Sequence, residues 1–263
     1  MNEITNKVSS NLMGGLGNYL FQIAAAYSYG KKFSKEPVFN SASSSGPHSR
    51  IETYENNVLS VVNLRSTIDS FTSLTEPGFN YFEIPDVPGN VLLNGYFQSE
   101  KYFSDISDEI RKMYTSYEVD ILPEINEKIQ GGTTCAIHVR RGDFLKYPDH
   151  HPVQDMSYFI NAINHMPEGT TFLVFSDDMN WCKDNFKGLE NDFFFVEGNL
   201  DFEDLSIMRS CTHNIISNST FSWWAAWLNS NPDKIVIAPR NWFGAAYTQL
   251  DTRDLYCESW TVI

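Results

Sequence analysis

Short apolar runs alternate with helical segments through the second half of the chain, and this alternation is the strongest constraint on its fold. Apolar runs predict strands at 135–139, 171–175, 193–196, 214–217 and 234–238, and predicted helices lie between them at 156–166, from about 179, at 202–210 and at 221–229. Such alternation is typical of βα units that assemble into a parallel sheet. Ligands bind such sheets beyond the carboxyl ends of the strands. Candidate site residues are therefore sought at those ends.

The first half of the chain predicts a smaller α/β lobe. Residues 8–13 predict a strand, Gly14–Gly17 a turn, and 18–32 a helix with Asn18 as its N-cap, so that backbone N–H groups face a cleft. A further strand is predicted at 91–97 and a helix at about 100–114. Residues 116–130, which contain Pro123, are interpreted as a crossing between halves. We therefore expect two lobes, at 1–125 and 126–263.

The glycines at 14, 15 and 17 do not make a dinucleotide fingerprint. When Gly15 and Gly17 are aligned to the first two glycines of G-x-G-x-x-G, Leu20 stands at the third. No acidic residue follows at the distance that binds a ribose. A dinucleotide oxidoreductase is disfavoured.

Charge and composition exclude other classes. The formal net charge is −14, which argues against a general affinity for nucleic acid or an anionic membrane. The polar first ten residues predict no signal peptide, and no window approaches the roughly 20 apolar residues that span a bilayer. The four cysteines form no C-x-x-C pair, and Cys135 and Cys211 are expected to be buried free thiols. We expect a cytoplasmic protein without a membrane span.

The segment from His138 to Asp143, with the sequence HVRRGD, ends a predicted buried strand. Removing two arginine charges from water at the end of a buried strand costs free energy unless an anion pairs with them. Guanidinium groups bind phosphate oxygens in a bidentate way. The alternative is one solvated arginine and one salt bridge to Asp143.

A second strand end carries small hydroxyl residues that open a helix. Ser219 and Thr220 follow the apolar run, and with the first helical N–H groups they can bind a phosphate. The alternative is plain N-capping by either residue. Asn218-Ser219-Thr220 is also a glycosylation sequon, which we discount because a cleft is expected here.

The sequence contains no pattern of side chains typical of a metal site. Asp177-Asp178 is a carboxylate pair at a strand end whose simplest role is to cap the next helix. The neighbouring His150 and His151 point in different directions and make a poor zinc site.

Five stretches together resemble the bacterial-type α-1,2-fucosyltransferases and, more distantly, the wider group of α-1,2-, α-1,6- and protein O-fucosyltransferases. They lie at residues 14–26, 95–103, 138–144, 175–178 and 213–228, in family order. The resemblance implies an α/β, GT-B-like fold of two Rossmann-like lobes with parallel sheets and the donor site in the cleft. The first lobe would face the acceptor, and the second would hold the nucleotide.

The resemblance also implies an inverting glycosyltransferase. It would move L-fucose from GDP-β-L-fucose to a sugar hydroxyl, forming an α-1,2 linkage on galactose or a related sugar, without a metal or other cofactor. The implied donor-binding residues are Asn18, His138, Arg140, Arg141, Asp204, Ser219, Thr220 and Phe221. Arg140 matches the arginine that holds the β-phosphate, Asp204 the acidic residue that reads the guanine edge, and Asn18 the first-lobe asparagine near the diphosphate.

The chain departs from the family pattern in two places. Tyr19 and Leu20 replace the more usual Gln-Met, and the segment from Lys146 to His151 follows no pattern of the family. Arg140 and Asp143 are the catalytic candidates, with Asp143 either a general base or a group that orients Arg140 or Arg141. Attack without a dedicated base is a third possibility. A different GDP-sugar as donor, or a non-catalytic module that binds a GDP-sugar or glycan, are the alternative functions.

Overall fold

Two parallel sheets organise the chain, one in each of two compact units. The computed structural model describes residues 6–46 and 50–263. The first unit runs to Glu118 and takes in Leu250–Cys257 as well, and the second comprises Val119–Gln249 and Glu258–Ile263. The chain therefore passes between the units three times: once inside the segment 116–130, and twice near residues 250 and 257, where no passage was predicted. The assignment of acceptor and nucleotide to separate lobes stays a prediction.

The first unit is a four-stranded parallel sheet in the order β2-β1-β4-β3. Its elements are β1 (Lys7–Ser10), α1 (Leu16–Phe33), β2 (Glu36–Pro37), β3 (Phe71–Thr75), β4 (Asn90–Asn94) and α2 (Ser107–Thr115). Two short 3₁₀ turns, Glu100–Tyr102 and Ser104–Ile106, replace the first half of the helix predicted at 100–114. Helix α1 buries most of its length against the sheet.

The predicted N-cap of α1 is wrong. The helix begins at Leu16 with Gly15 as its N-cap, so Asn18 lies inside the first turn, and no side chain caps this end. The reason is local: β1 ends at Ser10, and Gly14, at φ +88°, makes the left-handed turn that starts the helix early. The Asn18 amide is thereby left to other partners.

The second unit is a six-stranded parallel sheet in the order β10-β9-β8-β5-β6-β7. Its strands are β5 (Thr134–Val139), β6 (Thr171–Ser176), β7 (Asp192–Phe195), β8 (His213–Ile215), β9 (Val236–Ala238) and β10 (Thr261–Val262). Its helices are α3 (Pro123–Gly131), α4 (Met156–Ile163), α5 (Met179–Phe186), α6 (Asp201–Ser210) and α7 (Thr220–Leu228). The five predicted strands and four predicted helices are confirmed, and β10 was not predicted.

Most of residues 116–130 belong to α3, and the chain changes unit inside this segment, between Glu118 and Val119. Pro123 is the first residue of this helix, where its missing N–H costs nothing and its fixed φ favours the helical conformation.

The strand order places a switch point beside β5. The chain starts at β5, moves outward through β6 to β7, and then returns to the other side of β5 to form β8, β9 and β10. This is the 3-2-1-4-5-6 order of nucleotide-binding sheets, whose ligands lie where the order reverses. All six residues of β5 are buried. The ends of β5 and β8 are thus the place where the fold itself predicts a ligand.

Buried aromatic and sulfur side chains complete the packing of the second unit. Trp223, Trp224 and Trp227 on α7 are at most 2% exposed, and Trp260 packs on Trp223 at 5.4 Å between ring centroids. Cys135, Cys182 and Cys211 are buried thiols outside any disulfide in this unit, as predicted for Cys135 and Cys211. Across residues 6–46 and 50–263, we find no helix with the length and apolar character that a bilayer crossing requires.

Candidate functional site

Ser217 joins the two strand ends that the sequence singled out. Its hydroxyl donates to the His138 carbonyl at 2.6 Å and accepts from the Arg140 backbone N–H at 3.2 Å. The HVRRGD segment after β5 and the Ser-Thr segment after β8 are therefore held side by side. The structure brings together what lies 77 residues apart in the chain.

Arg140 is held by two carboxylates. Its Nη2 lies 2.5 Å from Asp143 Oδ1 and its Nη1 lies 3.0 Å from Asp177 Oδ2. The salt bridge to Asp143, which was the alternative to anion binding, is present. A guanidinium has five N–H donors, so two ion pairs do not exhaust it. With 26% of its side chain exposed, Arg140 is oriented by these partners and remains accessible.

Arg141 has a structural role at the same edge. Its side chain is 14% exposed, its Nε contacts Asp178 Oδ2 at 3.0 Å, and its guanidinium lies 4.0 Å from the centroid of the Trp181 ring. Its backbone N–H donates to Asp177 Oδ1 at 2.8 Å. Asp178 also caps α5 by accepting from the Trp181 N–H, as predicted. Arg141 thus fastens the end of β5 to the end of β6.

Gly142 permits the close approach of Asp177. A Cβ atom at position 142 would lie 2.5 Å from Asp177 Oδ2, well inside van der Waals contact. Any larger residue would displace the carboxylate that bridges Arg140 and the Arg141 backbone. The glycine of HVRRGD is therefore required by the packing of this aspartate.

The site carries no net positive charge from its side chains. Arg140 and Arg141 face three carboxylates, those of Asp143, Asp177 and Asp178. An anion would therefore be recognised through directional N–H donors held in place, rather than through a general positive field.

Helix α7 offers such donors. Ser219 is its N-cap residue by position, but its side chain makes no capping hydrogen bond, so the N-capping alternative is wrong for Ser219. Thr220 and Phe221 open the helix, and the first N–H groups of an α-helix have no partner within it. Both residues are half-buried at the carboxyl edge of the sheet. This arrangement suits a phosphate group.

Asn218 is committed to the protein interior. It is 2% exposed, and its Nδ2 donates to the carbonyls of Pro152 at 3.0 Å and Trp242 at 3.1 Å. This buried amide ties the loops around residues 152 and 242 to the segment that opens α7. Because the Asn218 amide is buried and hydrogen-bonded, it is not accessible for glycosylation.

His138 carries a buried nitrogen without a hydrogen-bond partner. The residue is 7% exposed, and its Nδ1 has no partner among the residues that the structure describes. Burial and the nearby Arg140 lower the pKa of His138 to about 3, so the imidazole is neutral at physiological pH. Its ring lies 5.4 Å from that of Phe221. A buried polar atom without a partner is unfavourable, which is consistent with a ligand that completes the site.

Asp204 lies in the first turn of α6, the helix that packs against α7 and β5. Its Oδ1 accepts from Asn199 Nδ2 at 3.0 Å. Burial raises the pKa of Asp204 to about 6, an effect that Asn199 partly opposes and that Asp201 and Glu203 reinforce. A half-buried carboxylate with a raised pKa favours a ligand that brings hydrogen-bond donors.

In the first unit, amide side chains gather where β1 and β4 end. Asn18 is half-buried, and its Oδ1 accepts from Gln98 Nε2 at 3.0 Å. The fully buried Gln22 accepts from the Met13 N–H at 3.0 Å and donates to the Gly95 carbonyl at 3.3 Å. These bonds fix the glycine turn and the loop after β4 to each other. They give Asn18 a defined orientation.

Glu76, at the end of β3, was missed in the sequence because it lies in an unremarkable polar stretch. Its carboxylate accepts from the backbone N–H groups of Tyr96 at 2.8 Å and Phe97 at 3.1 Å. Phe97 is held at φ +53°, which is strained for an aromatic residue. Burial raises the pKa of Glu76. One carboxylate thus keeps a strained loop in place beside Gln98.

Among the residues that the structure describes, no cluster of three or more His, Cys, Asp or Glu side chains is arranged to hold a metal ion. Asp177 and Asp178 have oxygens engaged with Arg140, Arg141 and backbone N–H groups.

Comparison with known proteins agrees with this geometry. The family model described as Glycosyl transferase family 11 matches residues 50–263. The O-antigen biosynthesis glycosyltransferase WbnK of Escherichia coli is 29% identical over 286 residues, covering 89% of this chain and 94% of that protein. An α-1,2-colitosyltransferase of Escherichia coli is 32% identical over 185 residues, covering 66% and 63%. Human galactoside α-(1,2)-fucosyltransferase 1 is 28% identical over 166 residues, covering 56% and 45%.

Solved structures share the fold. The crystal structure of NodZ α-1,6-fucosyltransferase co-crystallized with GDP superposes with a TM-score of 0.51 at 15% identity, covering 84% of this chain and 91% of that one. The α/β, GT-B-like fold class with parallel sheets is confirmed.

The family-model match identifies the chain as a glycosyltransferase, and the parallel sheet with its switch point beside β5 agrees with a nucleotide-binding role. The chain belongs to glycosyl transferase family 11. The resemblance to the bacterial-type α-1,2-fucosyltransferases is confirmed at the level of the family.

Replacing Arg140 by alanine should reduce sugar transfer by at least about 10²–10³-fold, because we expect its guanidinium to donate hydrogen bonds to the leaving group. Transfer is measured with purified protein, and circular dichroism checks the fold. The matched control is Arg253→Ala, which removes an exposed arginine paired with Asp251. Near-normal turnover by Arg140→Ala would contradict the assignment of this edge as the leaving-group site.

Proposed function

We propose that this protein transfers L-fucose from GDP-β-L-fucose to a sugar hydroxyl, with inversion at the anomeric carbon. The product we propose is an α-1,2 linkage on galactose or a related sugar of a glycan. One observation carries the proposal: Ser217 holds Arg140 beside the N-terminus of α7 at the switch point of the sheet. The family membership and the names of the relatives supply the sugar and the linkage.

The donor-binding residues in this proposal are those expected from the sequence. Arg140 and the first N–H groups of α7, with Ser219 and Thr220, bind the diphosphate. His138 and Phe221 line the same edge, Arg141 fixes it, and Asp204 accepts from the guanine base. Asn18, which Gln98 orients, stays the predicted contribution of the first unit.

The chemistry follows from where charge develops. Breaking the bond between the sugar and the β-phosphate builds negative charge on the departing GDP, and donors fixed in advance stabilise that charge as it forms. The carboxylates of Asp143 and Asp177 hold the Arg140 guanidinium, so little reorganisation is needed when the bond breaks. The sugar becomes oxocarbenium-like, and the acceptor hydroxyl attacks the face opposite the leaving group.

Asp143 has two proposed roles, as a general base or as the group that orients Arg140. The 2.5 Å contact with Arg140 favours the orienting role, because this carboxylate is already engaged with the guanidinium.

A different GDP-sugar is the second candidate donor. The α-1,2-colitosyltransferase relative makes GDP-colitose the specific competitor. Colitose is the 3-deoxy counterpart of L-fucose, so the two donors differ by one hydroxyl. A site that hydrogen-bonds this hydroxyl would reject colitose strongly, whereas an apolar site would discriminate weakly.

A donor panel tests the proposal directly. Purified protein is incubated with GDP-fucose, GDP-colitose or GDP-mannose and an array of galactose-containing acceptors, and the product linkage is determined. We expect the highest kcat/KM with GDP-fucose and an α-1,2 product. Preference for GDP-colitose or GDP-mannose would overturn the fucose assignment. Binding without turnover for every acceptor would indicate a non-catalytic module.

Affinity for the donor should fall as pH drops below about 6. The Asp204 carboxylate must be charged to accept from the guanine N–H groups, and in the free protein its pKa is raised to about 6. Below that pH the group is protonated and must lose a proton to bind, so affinity falls by up to about tenfold per pH unit. The probe is GDP-fucose in isothermal titration, because the terminal phosphate of GDP itself titrates near pH 6.

Asp204→Asn should weaken donor binding by roughly 10–100-fold at pH 7.5, the value of one charge-assisted hydrogen bond, and should flatten the dependence on pH. Asp201→Asn, in the same helical turn, is the matched control: it should keep wild-type donor affinity at pH 7.5 and a clear dependence on pH, with the midpoint moved to lower pH because Asp201 reinforces the raised pKa of Asp204. An unchanged pH profile in Asp204→Asn would assign the guanine contact elsewhere.

Transfer should proceed without a divalent metal. Arg140 and the N-terminus of α7 supply the donors for the diphosphate, and Asp177 and Asp178 are engaged with the arginines. Activity after treatment with EDTA should stay within about twofold of the untreated enzyme. A strong loss that Mg²⁺ or Mn²⁺ restores would show that these two aspartates bind a metal during the reaction.

A further inference from the structure

The segment between Phe144 and His151, which follows no family pattern in the sequence, forms an aromatic cluster in the second unit. Its rings meet those of a second loop near the end of the unit. The members of this cluster are Phe144, Tyr147, His150, His151, Phe243 and Tyr247. The cluster borders HVRRGD directly, because Asp143 and Phe144 are consecutive.

His151 lies in the middle of this cluster. Its imidazole stacks on the Phe144 ring at 4.7 Å between centroids with an interplanar angle of 19°. The rings of Phe243 and Tyr247 lie 6.0 and 6.2 Å away. His151 is half-buried, and the three ring contacts restrict the orientation of its imidazole.

The Phe144 ring connects His151 to the leaving-group site. The Arg140 guanidinium carbon lies 5.3 Å from the centroid of the same ring on which His151 stacks. The His151 ring centroid therefore lies within about 10 Å of the Arg140 guanidinium carbon. A group at this position is suited to act on the sugar end of the donor.

The backbone holds the His151 segment rigidly. The Gly244 N–H donates to the His150 carbonyl at 2.9 Å, and the Ala246 N–H donates to the Asp149 carbonyl at 2.8 Å. A Cβ atom at Gly244 would lie 2.5 Å from the Asp149 carbonyl oxygen, so only glycine fits. Asn218 binds the carbonyl of Pro152, the residue that follows His151. A segment fixed at so many points is pre-organised.

The groups that face His151 keep its imidazole neutral near physiological pH. Burial lowers the pKa of His151, the charge of Asp143 opposes this, and His150 and Arg140 lower the pKa further. Tyr247 contributes an aromatic ring to this surrounding. A neutral imidazole can accept a proton, whereas Asp143 is paired with Arg140.

We propose that His151 is the general base that accepts the proton of the attacking acceptor hydroxyl. The proposal rests on the proposed function, since it assigns a role within that reaction. Asp143 then has two electrostatic tasks: it orients Arg140, and it stabilises the imidazolium that forms on His151.

The step balances as a single displacement. The acceptor oxygen gives an electron pair to the anomeric carbon, and its proton passes to an imidazole nitrogen of His151. The bond from the anomeric carbon to the β-phosphate oxygen breaks, and its electron pair leaves with GDP. The imidazolium then releases the proton to solvent.

The test replaces His151 by phenylalanine, which keeps a ring against Phe144 but removes the proton acceptor. We expect kcat to fall by about 10²-fold or more, with the dissociation constant for GDP within about twofold of wild type. His150→Phe is the matched control, because the neighbouring imidazole packs on Tyr247 at 5.0 Å, and it should retain kcat within about threefold. His151→Gln is run in parallel and should lose kcat to a similar extent.

The pH profile separates a base from a packing residue. At saturating donor and acceptor, wild-type kcat should fall as the pH drops below the pKa of His151, which lies under 6.5. The residual activity of His151→Phe should lack this acidic limb. The Asp204 effect is separate, because it acts on donor affinity.

Retention of kcat within threefold in His151→Phe would overturn the proposal, as would an unchanged acidic limb. Loss of the limb in Asp143→Asn, with the limb intact in His151→Phe, would assign the base to Asp143 instead. If wild-type protein transfers no sugar from any GDP-sugar, the proposed function fails. If wild type transfers and His151 variants do too, the base assignment alone fails.

Discussion

The position of β5 between β6 and β8 is the constraint on which the second unit depends. Every residue of this strand is buried, and both neighbours run parallel to it, so the chain must leave all three strands at the same edge. The strand order reverses at β5: the chain continues to β6 and β7 on one side of this strand, and to β8, β9 and β10 on the other. The polar residues that follow these strands therefore meet at one place, whatever their distance in sequence.

The charged side chains at that edge fix the orientation of the arginines and do not create a net positive field. The chain is strongly acidic overall, and the site has three carboxylates for two arginines. Asp177 binds both the Arg140 side chain and the Arg141 backbone, so it fixes the first arginine relative to the strand that carries it. The carboxylates cancel the positive charge of the site, and they hold the Arg140 guanidinium in a defined orientation. Such an arrangement favours a ligand whose oxygens match particular N–H groups.

Much of this could be predicted from the sequence because it is local. Apolar runs of four or five residues and intervening helical patterns identified the strands of the second sheet, and HVRRGD was found because two arginines end a buried strand. The predicted N-cap at Asn18 failed because Gly14 turns the chain earlier than an asparagine signal suggests. Strand β3 was not predicted because most of its residues are exposed, so its sequence lacks an apolar run.

The partners of the site residues could not be predicted, because they are distant in sequence. Asp177 lies 36 residues from the Arg141 backbone that it binds, and Ser217 lies 77 residues from Arg140. His151 has an unremarkable sequence context, and it becomes notable only when Phe144 and Tyr247 are seen around it. Local pattern thus identifies the strand ends, and the fold decides which side chains act on one another.

Because Leu250–Cys257 belongs to the first unit, the two units cannot be exchanged between proteins as two continuous segments. Within this segment, Asp254 accepts from the Tyr81 N–H at 3.0 Å and pairs with Lys101 at 2.6 Å. The segment is therefore an integral part of the first unit, although the other residues of that unit lie more than 130 positions earlier in the chain. A single crossover between two family members, placed near residue 118, would combine the first unit of one parent with the closing segment of the other. Chimeras meant to exchange acceptor preference need a second and a third junction, around residues 250 and 257, to keep the first unit intact.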